Sequence, residues 1–99
     1  MFGRGTGVMT CGEFAKAYTQ APFTIEMLNF SWAQGYMTAS NFALNDPSQY
    51  LDLNVWSDER QMSHIRNYCD AHPLQHYVLA VLDLMREMKR DSDAHIENK

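Results

Sequence analysis

Thr10-Cys11-Gly12-Glu13-Phe14-Ala15-Lys16-Ala17-Tyr18 opens a helix and turns one cysteine toward the interior. Thr10 stands at the N-cap position, and Glu13 three residues later completes the Thr-x-x-Glu capping box. Cys11, Phe14, Ala15 and Tyr18 fall at i, i+3, i+4 and i+7, one face of a helix. Pro22 disfavours helical geometry in Ala21, so this helix ends near Gln20. The second cysteine lies far downstream, in Asn67-Tyr68-Cys69-Asp70-Ala71-His72-Pro73. If the two pair, the bond ties the first helix to a late one. A closed loop of that size contributes about 4 kcal/mol in the chain-entropy model.

Three more helices are expected. The second starts around Thr24, with Glu26 in its first turn, and runs to about Ala43. Its apolar face is Leu28, Trp32, Tyr36 and Ala39, widened by Ile25, Ala33 and Met37. Gly35 in its middle costs about 1 kcal/mol relative to alanine. Such a glycine either marks a close backbone approach or is merely tolerated. Asn45-Asp46-Pro47-Ser48 is a turn cluster. Residues 47–56 have no long helical period and are expected to form a loop with a short helical turn, with a short strand as the alternative. Ser57 caps the third helix, Asp58 and Glu59 suit its first turn, and Met62, Ile65 and Cys69 line its inner face. That helix ends at about Ala71. Pro73 is expected to open the fourth helix, whose apolar face is Tyr77, Val78, Val81, Leu82, Leu84, Met85 and Met88. Short links place neighbouring helices roughly antiparallel.

The chain has 99 residues, enough for one domain and one core. The expected organisation is a flexible leader over residues 1–9, a helical domain over 10–90 and a polar, frayed tail over 91–99. With 45% apolar and 12% aromatic residues, the composition is that of a folded chain. Twelve acidic against eight basic residues give a net charge of −4, which argues against a nucleic-acid partner. No stretch reaches the roughly 18 apolar residues of a membrane span. No secretory signal with a charged start and an apolar middle is visible.

Several residue groups carry possible chemistry. Cys69, His72 and His76 have the spacing Cys-x2-His-x3-His, and His64 could complete a zinc site. Against this, Pro73 interrupts the segment, and a disulfide would consume Cys69. A Cys69–His72 nucleophilic pair is opposed by Asp70, since a reactive thiolate needs an electropositive setting. No HExxH, Ser-His-Asp spacing or phosphate-binding glycine loop occurs. Gly3-x-Gly5-x-Gly7 precedes no strand–helix–strand unit. Neither a cofactor, a metal nor an enzymatic activity is expected. Met27, Met37, Met62, Met85 and Met88 are either core filling or an adaptable binding surface. Asn29-Phe30-Ser31 matches a glycosylation sequon but falls within a helix. Acidification would turn the net charge strongly positive and loosen a small fold by self-repulsion.

Thr10-Cys11-Gly12-Glu13-Phe14, Trp32-x-x-Gly35-Tyr36-x-x-Ala39-x-Asn41 and Tyr68-Cys69-Asp70-Ala71-His72-Pro73-Leu74, taken in order, resemble the small exported bacterial proteins of the HdeA/HdeB-like group. Immunity proteins of type VI secretion are related to them. The likeness covers about residues 10–88. It implies a compact helical domain with a Cys11–Cys69 disulfide, a periplasmic location, and a central helix whose Gly35-Tyr36 packs close to its partners. For the acid-stress chaperones of the group it also implies loosening at low pH and capture of unfolding clients without ATP. The matching segments are structural ones, so fold and compartment carry over better than activity does.

The resulting expectation is an all-α, compact single-domain bundle of four main helices stapled by one disulfide, monomeric or homodimeric. Its expected function is that of a non-enzymatic periplasmic acid-stress chaperone. Trp32, Tyr36, Val81 and Leu82 would supply client-binding apolar surface that becomes available on acidification, and Gly35 would be structural. The alternative is a specific interaction module, such as an immunity protein that binds one toxin.

Overall fold

The computed structural model describes residues 6–44, 46 and 49–97. Four α-helices make up the domain: α1 (Cys11–Gln20), α2 (Pro22–Phe42), α3 (Asp58–Ala71) and α4 (Tyr77–Glu97). No strand occurs among the described residues, and the only pairing of that kind there is an isolated bridge between Thr10 and His76. The radius of gyration is 14.0 Å, close to the about 13 Å of a compact 100-residue domain.

The helix ends follow from their local chemistry. The Glu13 N–H donates to Thr10 Oγ1, and the Thr10 N–H donates to Glu13 Oε1, both at 3.1 Å. The capping box is therefore complete. Ser57 caps α3 through Oγ, which accepts from the Arg60 N–H at 3.2 Å. Helix α2 begins at Pro22, two residues before the expected start at Thr24. The same proline that ends α1 also begins α2, because its missing N–H costs nothing in a first turn.

The start of α4 corrects the expectation. It opens at Tyr77, and residues 73–76 form a turn. The Pro73 and Gln75 carbonyls accept from the N–H groups of Gly12 (2.9 Å) and Cys11 (2.7 Å), and the Tyr77 N–H donates to the Met9 carbonyl at 2.7 Å. The first N–H groups of a helix lack intrahelical partners. Here those of α1 find them in the α3–α4 link, which holds that link out of helical geometry. At its other end α4 continues beyond residue 90, where a frayed tail was expected. Lys89 pairs with Asp93 at 3.0 Å, one helical turn on, and Asp91 accepts from the Trp56 indole N–H at 2.8 Å. Residues 98–99 lie outside the described residues. So do residues 1–5 of the expected leader; Thr6–Val8 form a single 3-10 turn.

Residues 49–57 are a loop with turns closed by Gln49 N–H to the Asp46 carbonyl and Val55 N–H to the Asp52 carbonyl. Positions 45, 47 and 48 of the turn cluster lie outside the described residues. The loop is held down by Asn41, whose side chain accepts from the Leu51 N–H (2.8 Å) and donates to the Leu51 carbonyl (2.9 Å).

The core comprises Cys11, Phe14, Phe30, Ala33, Met37, Leu51, Trp56, Ile65, Cys69, Tyr77, Ala80, Val81, Leu84 and Met88. Cys11 and Cys69 form a disulfide, with Cα atoms 4.6 Å apart across 58 residues of sequence. The inward face of α2 differs from the expected one. Asn29, Phe30, Ala33 and Met37 are buried, Trp32 and Tyr36 pack at the edge, and Leu28 is 65% exposed. The helix is apolar on most sides, so its periodicity does not single out one face. At Gly35 the second of the two expected readings fits, and not the close packing that the resemblance implies. A Cβ there would meet nothing within 4 Å among the described residues, so no close approach there requires the glycine. The close approaches are at Gly7, where a Cβ would come 2.5 Å from the Trp32 ring, and Gly12, where it would lie 3.2 Å from the Pro73 carbonyl.

Candidate functional site

Helices α3 and α4 leave a groove of about 720 Å³ between their outer faces, lined by Tyr68, His72, Leu79, Leu82, Asp83 and Arg86. Tyr68 and His72 stack one turn apart, with ring centroids 4.3 Å apart, and His72 Nδ1 lies 2.9 Å from the Tyr68 carbonyl. Leu79 and Leu82 face the groove at i and i+3 and stay 37% and 42% exposed. Asp83 joins the two walls. It pairs with His64 Nε2 across the helices at 2.8 Å and with Arg86 on its own helix.

Arg86 also lines a second, smaller cleft of about 310 Å³, with Leu44, Leu51, Met85 and Lys89 among its walls. The two clefts share Arg86 as a lining residue. A third hollow, of about 550 Å³, lies beside Arg60, whose guanidinium sits 3.8 Å above the Trp56 ring.

The interior behind the groove holds the charges that shape the fold. Glu26, the single charged residue of α2, pairs with Arg66 of α3. Burial pushes the Arg66 guanidinium down, but Glu26, with help from Tyr18 and Glu59, more than offsets this and raises it above its usual value. Arg66 thus joins α2 and α3 and lies over the Tyr18 ring of α1. Burial, reinforced by Glu26, drives the Tyr77 hydroxyl well above the ordinary phenol range. Thr10 holds the Glu13 carboxylate below its ordinary value by hydrogen bonds from its backbone and side chain.

The residues singled out in the sequence are dispersed. Cys11 and Cys69 are joined and buried. Trp32 and Tyr36 stack on each other at 5.4 Å, with Trp32 edge-on to Tyr77 at 6.1 Å, so they wall the core on the side of Gly7. Val81 is fully buried, whereas its neighbour Leu82 lies in the groove. The four proposed contact residues therefore do not form one surface in the folded state. The methionines divide likewise: Met37 and Met88 are fully buried, Met62 and Met85 pack against the core, and Met27 is exposed. Asn29 is buried and donates to the Ile25 carbonyl at 2.8 Å, so the sequon is not presented to solvent. Cys69, the first of the possible zinc ligands, has its sulfur in the disulfide, and His64 is engaged with Asp83.

Gln61 went unrecognised in the sequence. It is fully buried and donates to the carbonyls of Leu53 and Trp56, each at 2.9 Å, while accepting from Gln34 at 3.0 Å. Its signal was available, since residues 61, 65 and 69 share one helix face. No described helix is long and apolar enough to cross a membrane. The chain matches no protein-family model, no curated protein and no solved structure.

Proposed function

We propose that this is a non-enzymatic protein that binds a specific protein partner in its folded state, as an immunity protein binds one toxin. The observation that carries the reading is the groove between α3 and α4. Leu79 and Leu82 stand open there on a frame fixed by the disulfide and by Arg66. Exposed leucines beside an aromatic pair, with an ion-paired rim, are groups that bind by contact and shape. A disulfide persists in oxidising compartments. This and the resemblance to small exported proteins support a periplasmic location.

The test is affinity capture from the source organism at neutral pH, followed by calorimetry with the captured protein. One stoichiometric partner is expected, lost on Leu82→Glu. Capture of many proteins in sub-stoichiometric amounts, or only after acidification, would reject the reading.

A second reading, an acid-stress chaperone, is favoured by one observation. Val81 is fully buried and Trp32 and Tyr36 are half-buried, so they become client surface only if the fold loosens. An ionic link joins α2 to α3 there, since Arg66 pairs with Glu26 as well as with Glu59 of its own helix. This reading predicts protection of a model client from aggregation at about pH 2–3 together with binding of a hydrophobic dye. Absence of both at that pH would end it.

A further inference from the structure

The outer face of α2 has no partner among the described residues. Thr24, Leu28, Ser31, Gly35, Thr38 and Phe42 recur along it at spacings of four and three, and all are exposed. That spacing puts all six on one face of the helix, small in the middle and apolar at Leu28 and Phe42. Leu28 is 65% and Phe42 76% exposed, and neither has a place in the core. Each stands seven residues from Gly35. The face is large–small–large, symmetric about a glycine that costs about 1 kcal/mol in a helix and that nothing among the described residues requires.

We propose that this face binds a second copy of the chain, with the two α2 helices antiparallel across a two-fold axis at Gly35. The two glycines let the backbones approach closely at the crossing. Leu28 of each copy packs against Phe42 of the other, beside Tyr50, whose ring lies 6.5 Å from that of Phe42. Ser31 faces Ala39.

Two observations commit the face to this occupant. Each chain carries a net charge of −4, so most of its surfaces repel a second copy. The α2 face is the exception: the helix has one charged residue, Glu26, and that is turned inward onto Arg66. A two-fold contact also requires a self-complementary patch, and the spacing about Gly35 supplies one. The area is sufficient as well. Aromatic side chains each offer roughly 150–250 Å². With Met27, Leu28 and Phe42 exposed and Tyr50 beside Phe42, the face offers on the order of 500 Å² per copy, the size of a small, reversible interface.

Sedimentation equilibrium of the full chain at neutral pH, over a concentration series, tests the proposal. A reversible monomer–dimer equilibrium is expected. Gly35→Arg should weaken it at least about thirtyfold, as truncation of a hot spot does. The far-UV circular dichroism should stay unchanged, because the space at Gly35 is open. Leu28→Glu should also dissociate the dimer. Adding Phe42→Lys to Leu28→Glu should restore it, because position 28 of one copy faces position 42 of the other. Leu82→Glu, in the α3–α4 groove, should leave it intact. A chain that stays monomeric to millimolar concentration overturns the proposal. So does a dimer that survives Gly35→Arg, or a double variant that associates no better than Leu28→Glu alone.

Discussion

The two ends of the bundle are closed by different chemistry. At one end, residues 9–12 meet residues 69–77 through three main-chain hydrogen bonds and the disulfide. At the other, the loop before α3 is closed by side chains: Asn41 on Leu51, Gln61 on Leu53 and Trp56, and Asp91 on Trp56. Main-chain bonds do not depend on which side chains are present, so the first end tolerates substitution wherever the cysteines and the glycine are kept. The second end depends on two amides and a carboxylate, and each bond is lost with one residue. The contrast separates a covalently fixed frame from a replaceable closure.

The largest effect that would break the contrast is loss of the staple. Replacing Cys11 and Cys69 together by serine should lower unfolding free energy by about 4 kcal/mol in the chain-entropy model, measured by urea unfolding. A loss under about 1 kcal/mol would mean that the main-chain bonds alone hold that end. At the opposite end Gln61→Ala should cost about 2–3 kcal/mol, because it leaves the buried Trp56 carbonyl and the part-buried Leu53 carbonyl without donors. Gln61→Leu should recover little of this, since it restores volume and not the bonds. Asn41→Ala should cost about 1–2 kcal/mol and speed exchange of the Leu51 amide proton more than that of Cys11. Equal acceleration at both amides would show that the two ends open as one unit.

The smallest effect concerns Glu13 at the stapled end. Its carboxyl is held below the ordinary 4.5 in the folded state. Its contribution is therefore complete above that value and is lost as pH falls through the lower folded one. Glu13→Gln should lower stability slightly at neutral pH and flatten the acid limb of a stability–pH curve. An unaltered acid limb would locate acid sensitivity elsewhere, with Glu26 as the next carboxylate to replace.

Much of this frame was legible in the sequence. Thr10, Glu13 and Ser57 announce their helix ends because capping is local, with donor and acceptor three residues apart. Cys11, Ile65 and Cys69 lie on inward faces because their helices carry polar residues opposite. Legibility failed where that contrast is missing. Helix α2 is apolar on most sides, so Leu28 looked interior and Phe30 was passed over. It failed again where the deciding partner is remote. Pro73 has the local chemistry of a helix start, but its carbonyl is taken by Gly12, 61 positions earlier. The site was least legible of all. The groove depends on how α3 lies on α4, and it separates Val81 from Leu82, neighbours that periodicity placed together. Gln61 could have been found, since a glutamine on the face of Ile65 and Cys69 must have buried partners.

The bonds from residues 9–12 to residues 73–77 also order events during synthesis. Helix α1 is translated first, but the acceptors for its leading N–H groups and the sulfur for Cys11 come only with the α3–α4 link. Until residue 77 has been added, the Cys11 and Gly12 N–H groups, which the capping box does not reach, have no partners and stand beside a free thiol. Oxidation that runs ahead of chain growth finds Cys11 without its proper mate. The folding of this small domain is thus timed by its late segments, and an oxidant that waits for them serves it better than a faster one.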